Sequence, residues 1–187
     1  GAIHYITETE IEKAKPYLIK KINSQKVVSL ILGGPNKYYS FDESQLIQIF
    51  NKIKSNFVSE GYKVIVIPSM RTPKASIELA KKEMGSCGHV VNSVDKQAYL
   101  SAYALANYVV VTCDSTSMIS EAASSGKPIF IAHMNAKRNN YRFKRFFDLF
   151  KKMGITRDLG EKIETWSYNK HNEAERIATL INNKIKN

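Results

Sequence analysis

Long apolar runs are what this chain of 187 residues most plainly lacks. Its longest, such as Val64 to Ile67 and Tyr108 to Val111, fall far short of the about 20 residues that cross a bilayer as a helix. No charged-then-apolar leader stands at its start. The expectation is a soluble, cytoplasmic protein, with or without association to a membrane surface. Cysteine is also scarce: Cys87 and Cys113 lie in separate segments without a C-x-x-C companion, which excludes a disulfide framework and a thiolate zinc site and leaves two packed thiols. His4, His89, His133 and His171 are scattered and none stands in H-E-x-x-H, and no D-x-D motif is present, so no metal is expected. Neither G-x-G-x-x-G nor G-x-x-x-x-G-K-[ST] occurs, which removes most support for hydride transfer and for a phosphate loop of the Walker kind. Ser115 lacks the G-x-S-x-G elbow, and no carboxylates are spaced for glycoside hydrolysis.

What is present points elsewhere. A hydrophobic content of 43% suits one compact domain with a sizeable core. Twenty-eight Lys and Arg against seventeen Asp and Glu give a formal charge of +11. That excess favours anionic partners such as nucleotides, nucleic acid or acidic lipid headgroups, although a genome rich in Lys, Asn and Ile codons yields the same bias. Short apolar runs at 26–32, 63–68, 89–91, 108–112 and 128–132 alternate with segments of helical period. This is the pattern of an α/β fold: a Rossmann-like three-layer sandwich whose parallel sheet of five or six strands carries helices on both faces. Leu46, Phe50, Ile53 and Phe57 recur at intervals of four, three and four and give one helix an apolar face, opened by a capping box Ser40-x-x-Glu43. Thr72-Pro73 reads as an N-cap and first turn of a helix reaching about Met84, and further helices are expected over 95–107, 117–125 and 140–153. In the last of these Phe143, Phe146, Phe147, Phe150 and Met153 share a face, with Arg142, Lys144, Arg145, Lys151 and Lys152 around the rest. Residues 1–24 form an N-terminal extension whose helix runs over 9–23 despite Pro16; residues 25–187 form the Rossmann-like domain, ending in a helix over 172–186.

Right-handed crossovers bring every strand-to-helix loop of such a sheet to one edge, where open α/β folds bind ligands. Three loops therefore converge. After the first strand, Gly33-Gly34 either lets backbone approach a ligand or simply makes a turn with Pro35, and Asn36 follows. After the second stand Ser69, Arg71 and Thr72, where the Arg71 guanidinium either grips a phosphate or is a solvated surface arginine. After the fourth, Asp114-Ser115-Thr116-Ser117-Met118 offers hydroxyls, free N–H groups and the positive end of a helix dipole. Glu121, one turn into that helix, repels phosphate but accepts hydrogen bonds from ribose hydroxyls; equally, it is a first-turn glutamate favoured by the dipole.

Those segments, Leu32 to Lys37, Ser69 to Pro73, Asp114 to Ala122, Gly126-Lys127-Pro128, and Arg142-Phe143 with Arg145-Phe146, together with His4, resemble the plant mitochondrial-fission Elm family and its bacterial members. The resemblance runs from about His4 to about Leu159 and covers the C-terminal part of the family's full length. That family is similar to two-domain GT-B glycosyltransferases, whose C-terminal half holds a nucleoside-diphosphate-sugar donor. By this resemblance the Gly-rich loop and the Ser-Thr-Ser turn hold the pyrophosphate, Arg71 neutralises it and Glu121 meets the ribose. No covalently bound cofactor is implied. The stretch Asn135 to Asn140 departs from the Gly- and Ser-richer family pattern, so no ligand role carries over to it. An acceptor site is expected mainly on an N-terminal half absent from this chain, and a lipid-linked acceptor is one partner the resemblance suggests.

Two functions follow from different classes. One is donor binding for glycosyl transfer, with the isolated domain inactive. The other is a non-catalytic interaction module, acting through the basic face of Arg142, Lys144 and Arg145 on a protein partner or an anionic membrane surface. No recognised nucleic-acid motif is present, so no specific nucleic acid is expected.

Overall fold

The computed structural model of the chain describes residues 6–160 and 162–170. Two expectations, the helix over 172–186 and a role for His4, lie outside the described residues. Six parallel strands make one sheet: β1 (Val27–Leu32), β2 (Lys63–Pro68), β3 (Gly88–Val90), β4 (Tyr108–Thr112), β5 (Ile129–Ala132) and β6 (Thr156–Asp158). Their order is β3-β2-β1-β4-β5-β6. β1, β4 and β5 are buried along their whole length, and β2 along all of it but Lys63. Strands covered on both faces read as unbroken apolar runs, which is why these four stood out in the sequence. β6 was not anticipated, because Thr156-Arg157-Asp158 has no apolar signal. It forms because Ile129, Phe130 and Ile131 of β5 pair with it and Ile155 is buried beside it.

Seven helices are described: α1 (Glu8–Ala14), α2 (Pro16–Ile22), α3 (Glu43–Asn56), α4 (Lys74–Met84), α5 (Lys96–Leu105), α6 (Thr116–Ser124) and α7 (Tyr141–Lys152). α3 packs on α4, and α1 and α2 pack on α5. The chain moves along the sheet from β1 to β3 and then reverses to reach β4. With right-handed crossovers this reversal places α5 on the face opposite α3 and α4.

Several helix ends differ from expectation. The single helix over 9–23 is two, since Pro16 has no N–H to continue a helix and sits at the first position of α2. α1 opens on a capping box, Thr7 with Glu10. The box expected at Ser40 and Glu43 does not form: Asp42 is the N-cap of α3, and Ser40 Oγ donates to its carboxylate at 2.5 Å. Thr72 does not cap α4; Pro73 occupies that position and the Thr72 hydroxyl is used in tying loops together. On α7, Phe150 is buried and Phe143, Phe146 and Phe147 are half-buried, whereas Met153 is 44% exposed and leaves the apolar face. Phe57, Tyr62, Tyr108, Phe130 and Trp166 pack ring against ring, Phe57 within 6 Å of Tyr62, Tyr108 and Phe130 (5.9, 5.4 and 5.7 Å). Phe57 is fully buried there, a position where truncation to Ala removes about 3–5 kcal/mol.

Candidate functional site

Because all strands run parallel, their C-terminal ends share one edge, and the order reverses between β1 and β4. The loops following those two strands flank the reversal. They are joined by Asp114, whose side chain is fully buried. Its Oδ2 accepts from the Gly34 N–H at 3.0 Å and from Arg71 Nη2 at 2.7 Å, while Arg71 Nη1 donates to the Gly34 carbonyl at 2.8 Å. Asp114 Oδ1 is buried without a hydrogen-bond partner among the described residues. Thr112 Oγ1 accepts from the Gly33 N–H at 2.8 Å. Thr72 Oγ1 accepts from the Ser69 N–H at 2.8 Å and lies 2.9 and 2.6 Å from the Leu32 and Gly33 carbonyls, to which its hydrogen donates. Asn36 donates to the Asp114 carbonyl at 3.0 Å and accepts from the Tyr38 and Tyr39 N–H groups at 2.7 and 2.9 Å.

The two glycines are required by this knot. A Cβ on Gly33 would lie 2.1 Å from Asp114 Oδ2, and one on Gly34 would lie 2.0 Å from the Arg71 carbonyl oxygen. Neither has positive φ. What the missing Cβ atoms admit is the protein's own Asp114 and Arg71, so the expectation that they make room for a ligand's approach is replaced by a packing role. Arg71 likewise is already engaged by a carboxylate, with 40% of its side chain exposed for a further contact.

In front of the knot lies a cleft of about 430 Å³, lined by Ser69, Met70, Arg71, Val94, Asp95, Tyr99, Ser115, Met118 and Glu121 among others. Of the anticipated residues, Ser69, Arg71, Ser115, Met118 and Glu121 thus share one cleft. Gly33, Gly34, Asn36, Thr72 and Asp114 stand behind it as its frame. Thr116 and Ser117 open α6, whose first N–H groups have no acceptor within the helix; Ser115 is its N-cap, accepting from the Met118 N–H at 3.4 Å.

Glu121 reaches the cleft from α6. Tyr99 Oη donates to its Oε2 in a short hydrogen bond, and Tyr103 Oη donates to Tyr99 Oη at 2.7 Å. Burial, the neighbouring Tyr103 and the Glu121 charge push the Tyr99 phenol well above its ordinary value, so it remains a donor. Among the described residues no ion pair involves Glu121, and Oε1 is left for another donor. Tyr99 was missed in the sequence, although Asp95, Tyr99 and Tyr103 recur every fourth residue and so share a helix face.

A larger cavity, about 750 Å³, opens past β5 and is lined by Tyr39, His133, Asn135, Arg138, Asn139, Asn140, Lys144, Phe147, Asp148, Lys151 and Asp158 among others. The loop at 135–140, to which no ligand role was carried over, forms much of its wall. Here His133 Nε2 and Lys151 Nζ each lie 2.7 Å from the Asp158 carboxylate. Burial raises the Asp158 pKa, but hydrogen bonds from Lys151 and His133 outweigh it and hold the group below its ordinary value. α7 divides its cations: Lys144 and Lys151 line the cavity, while Arg142 and Arg145 lie outside that lining. His133 thus pairs with Asp158, and burial pushes the Cys113 thiol up to about 12, which keeps it protonated and unreactive.

A six-stranded parallel sheet in this order, with a largely apolar cleft at its reversal that Arg71 and Glu121 border, is a Rossmann-like fold of the kind found in one half of GT-B proteins. The chain belongs to the Elm1 family: the family model described as Mitochondrial fission ELM1 matches residues 1–185. It is 32% identical over 197 residues to an uncharacterised protein of Rickettsia prowazekii, covering 97% of this chain and 53% of that one. It is 25% identical to the mitochondrial fission protein ELM1 of Arabidopsis thaliana, covering 99% and 44%. The chain therefore spans about half the length of the curated relatives it matches. Among solved structures it is similar to a co-structure of S. aureus MnaA with UDP (TM-score 0.54, 14% identity, 89% of this chain and 40% of that one). It is also similar to the UDP-GlcNAc 2-epimerase of Methanocaldococcus jannaschii (TM-score 0.52, 14% identity, 92% and 50%). At that identity the likeness is one of fold.

Proposed function

We propose that the chain is the donor-binding half of a GT-B-like protein that handles a nucleoside-diphosphate sugar, with glycosyl transfer as the reaction class. The observation that carries this reading is the cleft at the β1/β4 reversal, where Arg71, the α6 N-terminal turn and Glu121 meet. In this reading the exposed part of the Arg71 guanidinium and the α6 N-terminus take the diphosphate. Glu121 Oε1 accepts from a ribose hydroxyl, with Oε2 already held by Tyr99. Arg71 remains paired with Asp114, so the protein side of its charge is preorganised, and the leaving diphosphate of a transfer reaction gains electrostatic stabilisation without reorganisation. The UDP named in the S. aureus co-structure supports a nucleoside diphosphate as the first ligand to test. Another element supplies the acceptor.

The test is a thermal-unfolding panel of nucleoside diphosphates and their sugar conjugates at concentrations well above the expected Kd. A bound ligand at about 100 times its Kd stabilises by about 2.7 kcal/mol, several degrees for a chain of this size. A flat panel across all bases would refute the reading. Stabilisation by inorganic pyrophosphate equal to that by nucleotides would refute the ribose role of Glu121.

A further inference from the structure

Among the described residues seven large hydrophobic side chains are exposed, and three of them lie on or just after α7: Tyr141 (62%), Leu149 (51%) and Met153 (44%). At 3.6 residues per turn, Tyr141, Arg145, Leu149 and Lys152 form one row along the helix, with Arg142 and Met153 beside it. Three apolar side chains and three cations make up this stripe; Asp148, the one carboxylate of α7, borders it within a turn of Arg145 and Lys152, on the flank where it lines the large cavity with Lys144 and Lys151. The inward face is independently satisfied by Phe143, Phe146, Phe147 and Phe150, packed on the core. The outer stripe is therefore not a core face left uncovered by accident of period.

We propose that this stripe of α7 docks on an anionic lipid surface. The matching chemistry is specific: Arg142, Arg145 and Lys152 meet headgroup phosphates while Tyr141, Leu149 and Met153 enter the headgroup boundary. A solvated charged face has no use for the three apolar members, and an aqueous polyanion has no apolar layer to receive them. Arg145 lies over the Tyr141 ring at 5.8 Å, so the ring and the charge present themselves together. Among the described residues no helix is long and apolar enough to cross a membrane, so the contact is with the surface. It places the sheet edge that carries the cleft close to lipid, since Tyr141 and Arg142 also border the loops at that edge.

The test is cosedimentation of the purified chain with vesicles of phosphatidylcholine and phosphatidylglycerol, against pure phosphatidylcholine. The wild type binds the anionic vesicles and not the neutral ones. The triple variant Arg142→Gln, Arg145→Gln, Lys152→Gln loses roughly a hundredfold in partition, about a factor of five per cation. Leu149→Ser with Met153→Ser loses roughly tenfold or more. All five positions are exposed, and an unchanged unfolding midpoint excludes misfolding. An equal loss in Lys20→Gln, Lys74→Gln, Lys82→Gln, which removes the same charge from α2 and α4, would overturn the assignment to α7. So would failure of the wild type to bind anionic vesicles, or insensitivity to the two serines. Binding of single-stranded DNA, but not of vesicles, through the same three cations would put a nucleic acid in place of lipid and overturn it as well.

Discussion

Gly34→Ala is a small change with a large expected effect. The new Cβ would stand 2.0 Å from the Arg71 carbonyl oxygen, where ordinary contact begins at 3.4 Å. The loops after β1 and β2 must therefore separate by about 1.4 Å, the difference of those two distances. Arg71 Nη1 to Gly34 O (2.8 Å), Gly34 N to Asp114 Oδ2 (3.0 Å) and Arg71 Nη2 to Asp114 (2.7 Å) cannot all survive that shift. A hydrogen bond to a charged group contributes about 1.5–3 kcal/mol. Breaking a wholly buried ion pair removes about 3–5, a value reduced here because Arg71 is 40% exposed. The expected loss is about 3 kcal/mol, or roughly 6–12 °C in Tm. Gly85→Ala is the control: Gly85 has φ −59 and ψ −34, with nothing within 4 Å of its would-be Cβ, so alanine there is neutral or stabilises by about 0.4–1 kcal/mol. Urea unfolding of the two variants decides the matter. A Gly34→Ala midpoint matching that of wild type would refute the close-packed knot.

Tyr99→Phe deprives Glu121 of its donor and Tyr103 of its acceptor; urea unfolding is expected to show a loss of about 1–3 kcal/mol, and no loss would mean the chain of hydroxyls is not formed. Native protein treated with iodoacetamide should take up label at half-buried Cys87, while Cys113, buried and with its thiol pushed up to about 12, reacts only after unfolding; rapid native labelling of Cys113 is the contrary result. Asp95 and Asp158 are held below their ordinary values, the first by the Tyr17 hydroxyl and the Ala98 N–H, the second, despite burial, by Lys151 and His133. The unfolded state then takes up protons first on acidification. Their stabilisation is present above about pH 4, the unfolded carboxylate value, and is lost as pH falls through the lower folded values. Asp158→Asn should flatten the acid limb of Tm against pH, and an unchanged limb would show the His133–Asp158–Lys151 cluster to be inert.

The sheet was legible because strands buried on both faces leave continuous apolar runs, as in Val64 to Ile67 and Val109 to Val111. Three-residue β6 was not, since its pairing with β5 has no apolar run of its own to announce it. The loops that meet at the cleft were likewise legible, from topology and from turn chemistry. Their internal wiring was not: Arg71 and Asp114 are 43 positions apart, Tyr99 and Glu121 are 22 apart, and no local pattern marks either pair. Hence the sequence points Arg71 and the glycines toward a ligand, whereas in the structure much of their bonding capacity is turned inward. Thr72 shows the same thing at short range, a cap by sequence that three-dimensional contact converts into a loop staple.

Isothermal titration of UDP into the wild type and into Glu121→Gln, with inorganic pyrophosphate as a second titrant, tests the donor-cleft reading most directly. The expected result is saturable UDP binding that weakens roughly tenfold or more in Glu121→Gln, the equivalent of about 1.5–3 kcal/mol for a hydrogen bond to a carboxylate, with pyrophosphate binding unchanged. Saturable UDP binding that ignores Glu121→Gln would move the nucleotide out of this cleft, and no saturable heat with UDP or any other nucleoside diphosphate would contradict donor binding altogether.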